Sequence, residues 1–249
     1  MPAARALGTL FAISNTLLVI LLLCAGPASA QKRRRPPAGG RIAVVVDERL
    51  AALRDAPDLS AALVQRLGRG RAVAVSGARV SAADGVRFYR VELTRRTGGW
   101  LQAEAVVQPS RAGDDERLLR LVSASRDFDL LARARIFLET FPRSPLRPAV
   151  LLLFGDAAEG AAERLSREAA RRLDAREMEA GGAPPRSYFL NFNGLDRFNR
   201  VGVRFVFDGP ARRFRYDGAA WREILRRHPR SPEAAAARAR LDAMNAGAH

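Results

Sequence analysis

The side chains that most often carry out catalysis are scarce in this sequence of 249 residues. It contains two histidines, His228 and His249, and one cysteine, Cys24. A catalytic triad or a general base would have to depend on His228, which lies at a predicted helix end and has no partner that the spacing identifies. A metal site of the common kind has no cluster of histidine and cysteine to use. We therefore expect no enzyme activity, no metal and no cofactor.

Phosphate chemistry is not indicated either. Lys32 is the only lysine, so the predicted folded regions contain none for a Walker-type loop. The glycine-containing run 68–71 resembles no phosphate-binding loop. Most carboxylates stand beside arginine on predicted helix faces, where solvated ion pairs are their ordinary role. The aromatic side chains are therefore the better candidates for function.

The formal net charge of +16 does not by itself indicate a protein that binds nucleic acid. Of the 42 basic residues 41 are arginine, and beyond residue 40 both signs of charge are interspersed. Coding bias explains such a skew better than a dedicated phosphate-binding face does, and no nucleic-acid-binding motif is visible. We expect no nucleic-acid partner beyond non-specific attraction.

The first 30 residues have the pattern of an export signal. Arg5 precedes an apolar run at 7–23, Pro27 ends that run, and residues 28–30 supply the small side chains that signal peptidase accepts. We expect cleavage before Gln31 and an exported protein, periplasmic or extracellular. The alternative is an uncleaved helix that tethers the chain to the inner membrane, since about 17 apolar residues is the lower limit for spanning.

The residues around the end of the apolar run leave the orientation of such an anchor open. The basic cluster at 32–35 favours a cytoplasmic position, whereas export places it outside. Residues 31–40 are basic and rich in proline and glycine, and we predict an extended tether there. Cys24 follows Leu23, which is too large for a lipoprotein cleavage site. Removal of the leader would leave a chain without a thiol and hence without disulfides.

Residues 41–108 have the pattern of short β-strands. They contain, in this order, Leu53-Arg54, Pro57, Leu63-Val64, Leu67, Arg69-Gly70, Phe88, Val91 and Gly99-Trp100. Residues of these types in this order resemble the bacterial Src-homology-3 (SH3) domain. Phe88 stands where that family has tryptophan, with two residues inserted before it, and Ala56 stands where the family has glycine. The resemblance implies a small SH3-like β-barrel, and the departures leave its ligand undefined.

By this resemblance, Tyr89, Trp100 and Arg54 would form a ligand groove beside the variable loop. Tyr89 and Trp100 lie on adjacent predicted strands, and Arg54 would supply charge. The implied ligands are peptidoglycan stem peptides or protein segments. The alternative, which the residues leave open, is that the two rings fill the core.

From Asp114 onward the apolar periodicity becomes helical. Residues 137–145 recur as residues 224–232, 87 positions later, and each copy joins two helices through Pro-Arg-Ser-Pro. In the first copy we predict that Ser144 caps the following helix and that Pro145 is its first residue.

The two copies resemble the tetratricopeptide-like helix pairs of bacterial envelope proteins, although the interval of 87 residues does not fit a 34-residue repeat. The resemblance implies a helical domain that binds a protein partner. Between the copies we predict an aromatic core cluster at 188–198 and a β-hairpin with strands over 201–207 and 213–216.

Together these patterns predict a multidomain β + α protein: a leader at 1–30, a tether at 31–40, an SH3-like barrel at 41–108 and a tetratricopeptide-like helical domain at 114–249 with an inserted hairpin. We expect a non-catalytic binding or scaffold protein of the bacterial cell envelope. The alternative is a targeting or accessory subunit of a cell-wall hydrolase system, with the catalytic domain on another chain.

Overall fold

The structure is a computed structural model that describes residues 40–246. Its N-terminal third is an antiparallel sheet of seven strands, in the order β3-β2-β6-β5-β4-β1-β7. A short 3-10 helix, Ala103–Ala105, joins the last two strands. The strands are β1 (Arg41–Val45), β2 (Ala52–Arg54), β3 (Leu63–Arg66), β4 (Ala72–Val80), β5 (Arg87–Thr94), β6 (Thr97–Gln102) and β7 (Val106–Val107).

This sheet is not the closed SH3-like barrel predicted for residues 41–108, and that prediction is wrong. Among the described residues β3 and β7 each pair on one side only, so the sheet has two ends. The physical reason lies in the choice of partners: β6 takes β2 of the β2–β3 hairpin as its outer neighbour, and β1 takes β7. The β2–β3 hairpin therefore lengthens the sheet at one end.

Strand β1 faces two hydrophobic cores. Successive side chains on a strand point to opposite sides. Ala43 and Val45 pack in the core of the sheet, while Val44 and Val46 pack against the helices. The sheet and the helices thus share one strand, and residues 40–246 belong to one compact unit. The division into two domains near residues 109–113 stays a prediction.

Eight α-helices and one short 3-10 helix, Asn193–Leu195, follow the sheet within the described part of the chain. The helix after the first Pro-Arg-Ser-Pro begins at Arg147, two residues later than predicted, because Ser144 instead closes a turn by accepting a hydrogen bond from the Leu146 N–H at 3.2 Å. The helices are α1 (Asp114–Ser123), α2 (Asp127–Thr140), α3 (Arg147–Arg172), α4 (Ala175–Gly181), α5 (Pro185–Leu190), α6 (Asp196–Arg200), α7 (Ala219–Arg227) and α8 (Glu233–Ala246).

The predicted hairpin is present as β8 (Phe205–Asp208) and β9 (Arg213–Tyr216), although its first strand starts later than the alternation suggested. Strand β9 lies along α3: the Phe214 N–H donates to Ser166 Oγ at 2.7 Å, and the Tyr216 N–H donates to Glu159 at 2.9 Å. The aromatic cluster at 188–198 packs as predicted, with Phe189, Phe192 and Phe198 all buried.

The helix pairs α2–α3 and α7–α8 are also observed, while their likeness to tetratricopeptide pairs stays a prediction. Within residues 40–246 none of the helices is both long and apolar enough to cross a membrane. The predicted leader and tether, residues 1–39, lie outside the described residues. Cleavage and anchoring therefore stay predictions.

Candidate functional site

Tyr89 lies on the inner side of the sheet. Its ring shares one face of β5 with Val91 and Leu93, and only 6% of the residue is exposed. Its hydroxyl accepts a hydrogen bond from Arg111, which follows β7, at 2.8 Å. The structure thus places Tyr89 in the core, where its oxygen is satisfied by a side chain from the segment that leads into α1.

Trp100 and Arg54 lie side by side on the sheet. They are directly paired residues of β6 and β2, so their side chains project from the same face. The Arg54 guanidinium donates to the Ala61 carbonyl oxygen at 2.6 Å, which fastens it to the loop before β3. The close approach of β6 to β2 depends on Gly99, because a Cβ at that position would lie 2.5 Å from the carbonyl oxygen of Arg54.

Two further arginines, Arg79 and Arg90, complete the surroundings of Trp100. Arg90 of β5 is the other direct neighbour of Trp100, and its Cζ lies 5.6 Å from the centre of the indole ring. The Cζ of Arg79, on β4, lies 5.7 Å from the same ring. Cation–π attraction holds guanidinium groups at such distances. We call these four residues, Arg54, Arg79, Arg90 and Trp100, the Arg–Trp face.

Two loops beside the Arg–Trp face carry acidic groups: Asp58 lies between β2 and β3, and Asp84 lies between β4 and β5. The hydroxyl and N–H of Ser60 donate to Asp58, and these bonds, with a smaller contribution from Arg54, hold the pKa of Asp58 below its usual value. Hydrogen bonds from the N–H groups of Val86 and Leu59 likewise lower the pKa of Asp84. Both carboxylates are therefore charged at neutral pH, and their hydrogen bonds serve mainly to shape the turns next to Arg54.

The chemistry available to the Arg–Trp face is recognition. Arginine binds carboxylate and phosphate through a planar pair of donors, and a tryptophan ring gives a rigid contact area. Arg79 and Arg90 are exposed, so their outer donors can reach a ligand. The four residues of the face include no nucleophile and no general base.

Catalytic and metal-binding groups are sparse elsewhere in the part of the chain that the structure describes. No group of three or more histidine, cysteine, aspartate or glutamate side chains in residues 40–246 could hold a metal ion. His228 lies at the end of α7, and its Nε2 is buried without a hydrogen-bond partner among the described residues. These surroundings are those of a side chain packed at a helix end. Phe141 occupies the equivalent position in the first copy.

Sequence reasoning named Trp100 and Arg54 but missed Arg79 and Arg90. Arg90 stands between the buried Tyr89 and Val91, so alternation could have placed it on the outer face. Its contact with Trp100 depends on the register of β5 against β6, which alternation does not reveal. Comparison of the chain with models of protein families, with curated proteins and with solved structures gave no match.

Proposed function

We propose that this chain is a non-catalytic binding protein of the bacterial cell envelope that holds a carboxylate-bearing ligand on its Arg–Trp face. The observation that carries the proposal is the half-buried ring of Trp100, which two exposed guanidinium groups flank at 5.6 and 5.7 Å. A rigid aromatic beside arginine is the combination that most often dominates binding energy at protein surfaces.

The ligand we favour is the carboxylate-bearing stem peptide of peptidoglycan. Three arginines around one indole ring offer several donors to carboxylates, while the ring offers contact to the aliphatic part of a short peptide. An acidic segment of an envelope protein presents the same groups. The export pattern at 1–30 supports a location where either ligand occurs.

Sedimentation with purified peptidoglycan tests the proposal on the full chain from an exporting host. Trp100→Ala should weaken binding by about 1–3 kcal/mol, or roughly 5- to 150-fold, because the indole provides most of the contact area. The double variant Arg79→Gln/Arg90→Gln should weaken it comparably and should become less sensitive to salt. Arg176→Gln/Arg186→Gln, which changes two exposed arginines on α4 and α5, is the charge-matched control and should bind normally.

Several outcomes would contradict this proposal. Equal binding by the control and the Arg–Trp variants would place recognition elsewhere. Displacement by short single-stranded DNA at lower concentration than by an acidic peptide would favour nucleic acid, for which arginine and a stacking ring are also suited. Cleavage of peptidoglycan by the purified chain would contradict a non-catalytic role.

A further inference from the structure

A cleft on the helical side of the molecule has a different chemical character from the Arg–Trp face. It encloses about 500 Å³ between the start of α2, the middle of α3 and the short helix α6. That volume lies within the range of sites that hold small molecules. The residues that line it include four arginines and two phenylalanines.

The floor of the cleft is apolar. Phe128 of α2 and Phe198 of α6 meet edge to face, with their ring centres 5.5 Å apart. Phe198 is buried, whereas Phe128 is only half-buried, so part of its ring faces the cleft. Ala161 and Leu165 of α3 close the floor beneath them. These side chains offer contact to an apolar group of modest size.

The walls of the cleft are cationic. Arg164, Arg167 and Arg171 are spaced three and four apart on α3, which brings them to one face of the helix. Arg197 of α6 covers the floor, its Cζ lying 4.8 Å from the ring centre of Phe198 and 5.5 Å from that of Phe128. Positive charge therefore surrounds an apolar surface.

The two carboxylates of the cleft already have partners. Asp127 pairs with Arg164 at 2.9 Å, and Glu168 pairs with Arg172, outside the cleft, at 3.0 Å. Among the described residues, Arg167 and Arg171 have no carboxylate within ion-pair distance. Two exposed guanidinium groups therefore remain available for an anion.

The backbone is strained at Asp127, which is one of the residues that line the cleft. Its φ is +51°, a left-handed value that a residue other than glycine seldom adopts. Such values persist where the surrounding structure imposes them, and they cluster at binding sites. The Asp127 carboxylate pairs with Arg164 on the wall of the cleft at 2.9 Å, so the strained residue itself lines the site.

We propose that this cleft binds a small molecule in which an oxyanion, carboxylate or phosphate, is attached to an apolar group. The oxyanion contacts Arg167 and Arg171, and the apolar group rests against Phe128. The site is separate from the Arg–Trp face, on which no part of this proposal depends.

The test uses the full chain and three probes: phenyl phosphate, phenylacetate and inorganic phosphate. By calorimetry we expect phenyl phosphate or phenylacetate to bind at least about tenfold more tightly than inorganic phosphate, because only they also contact the floor. Comparison of the first two probes tells which oxyanion the site prefers. Arg167→Gln/Arg171→Gln should weaken the tighter probe by about tenfold or more.

The control variant is Arg176→Gln/Arg186→Gln, which removes the same charge from exposed positions on α4 and α5. It should bind the tighter probe within about twofold of the unchanged chain, and thermal melting should show that both double variants are folded. Equal weakening in both would show non-specific attraction to an arginine-rich chain and overturn the proposal. Failure of both phenyl probes to bind better than inorganic phosphate would overturn it as well. The peptidoglycan assay should be unaffected by either variant.

Discussion

The two helix pairs, α2–α3 and α7–α8, are joined by the same four residues but are supported very differently. The turn itself is the same in both: the Ser144 N–H donates to the Phe141 carbonyl at 3.2 Å, and the Ser231 N–H donates to the His228 carbonyl at 3.0 Å. A short sequence motif thus sets the local backbone whatever surrounds it.

The surroundings are what differ. Phe154 is 5% exposed in the long helix α3, whereas Leu241, its counterpart in α8, is only half-buried. The Ser144 hydroxyl donates to Asp115 of α1 at 2.7 Å, while Ser231 Oγ is buried without a partner among the described residues. The first pair is part of the core and the second lies at its edge, so the same motif should contribute unequally to stability.

The largest expected difference comes from truncating the counterpart apolar residues. Phe154→Ala should lower the free energy of unfolding by about 3–5 kcal/mol, because a large buried ring is lost and a cavity remains. Leu241→Ala should cost about 1–2 kcal/mol, since less of its surface leaves water on folding. Urea denaturation of both variants measures the two values. Equal losses would show that the second pair is as deeply integrated as the first.

The anchor between α2 and the sheet should come next in size. Arg133 is 8% exposed; its Nε donates to the Val46 carbonyl at 3.2 Å and its Nη1 to Ser125 Oγ at 2.6 Å. With the same offset of 87 residues, Ala220 occupies the position of Arg133 in the second pair, so that pair has no arginine there. Arg133→Met should therefore destabilise the protein by about 2–3 kcal/mol, because buried acceptors lose a charged donor.

Arg135→Met is the control for that substitution, because Arg135 lies on the same helix but is exposed and pairs with Glu139 of the next turn. Its loss should cost no more than about 0.5 kcal/mol. Denaturation curves of the two variants that coincide would mean that Arg133 contributes no more than a surface arginine.

Asp47, next to Val46, gives this anchor a dependence on pH. Hydrogen bonds from Arg49, the largest cause, hold the pKa of Asp47 below its usual value, and Arg133 adds a smaller effect. Because the folded pKa is lower than the unfolded one, Asp47 stabilises the protein above about pH 4, and this contribution is lost as the pH falls through the folded pKa.

Melting temperatures of the unchanged chain and of Asp47→Asn, measured from pH 7 down to pH 2, test this. The two should differ at neutral pH and converge in acid. Asp242→Asn, at an exposed position on α8, should differ little from the unchanged chain at any pH. A gap that stays constant down to pH 2 would exclude titration of Asp47 as its cause.

Local signals in the sequence predicted individual elements well. The alternation over 201–207 and the turn that follows it at 208–210 predicted a returning strand over 213–216, and the hairpin confirms it. The repeated motif predicted two helix pairs. Ser144 was expected to cap a helix but closes a turn before it, because a serine that precedes proline suits both structures. When a residue suits two adjacent structures, the predicted boundary of the helix can be wrong by a few residues although the helix itself is present.

The arrangement of the sheet could not be predicted in the same way. Whether β2 lies beside β6 depends on contacts between residues far apart in the chain, such as Arg54 and Trp100. The apolar run at 42–46 predicted a strand. A run in which every residue is apolar fits burial on both faces, but it does not reveal which other elements cover those faces. The expected closure into a barrel came from the resemblance, and the pairing of β3 and β7 on one side only overturns it.

Only part of the candidate site could be predicted, because its contacts also depend on how the strands pair. Trp100 is one of two tryptophans, so its residue type singled it out, whereas Arg79 and Arg90 are two arginines among 41. Tyr89 was expected beside Trp100, but residues 88 and 89 are both buried, on opposite faces of β5. Alternation fails as a guide to exposure where a strand is covered on both faces.

The smallest expected difference concerns the serines of the two joining motifs. Ser144→Ala removes the hydrogen bond to Asp115 and an acceptor for the Leu146 N–H, so it should destabilise the protein by about 1 kcal/mol. Ser231→Ala removes a buried hydroxyl without a partner among the described residues, so it should be neutral or stabilise the protein by up to about 1 kcal/mol. Because the turns have the same backbone, subtracting the two effects cancels the change in intrinsic turn preference and leaves the contribution of the surroundings. Urea denaturation resolves a difference of this size if both variants are measured in parallel. An equal loss in both would mean that the serines stabilise the turn itself, and that the contrast between the two helix pairs does not extend to their joining residues.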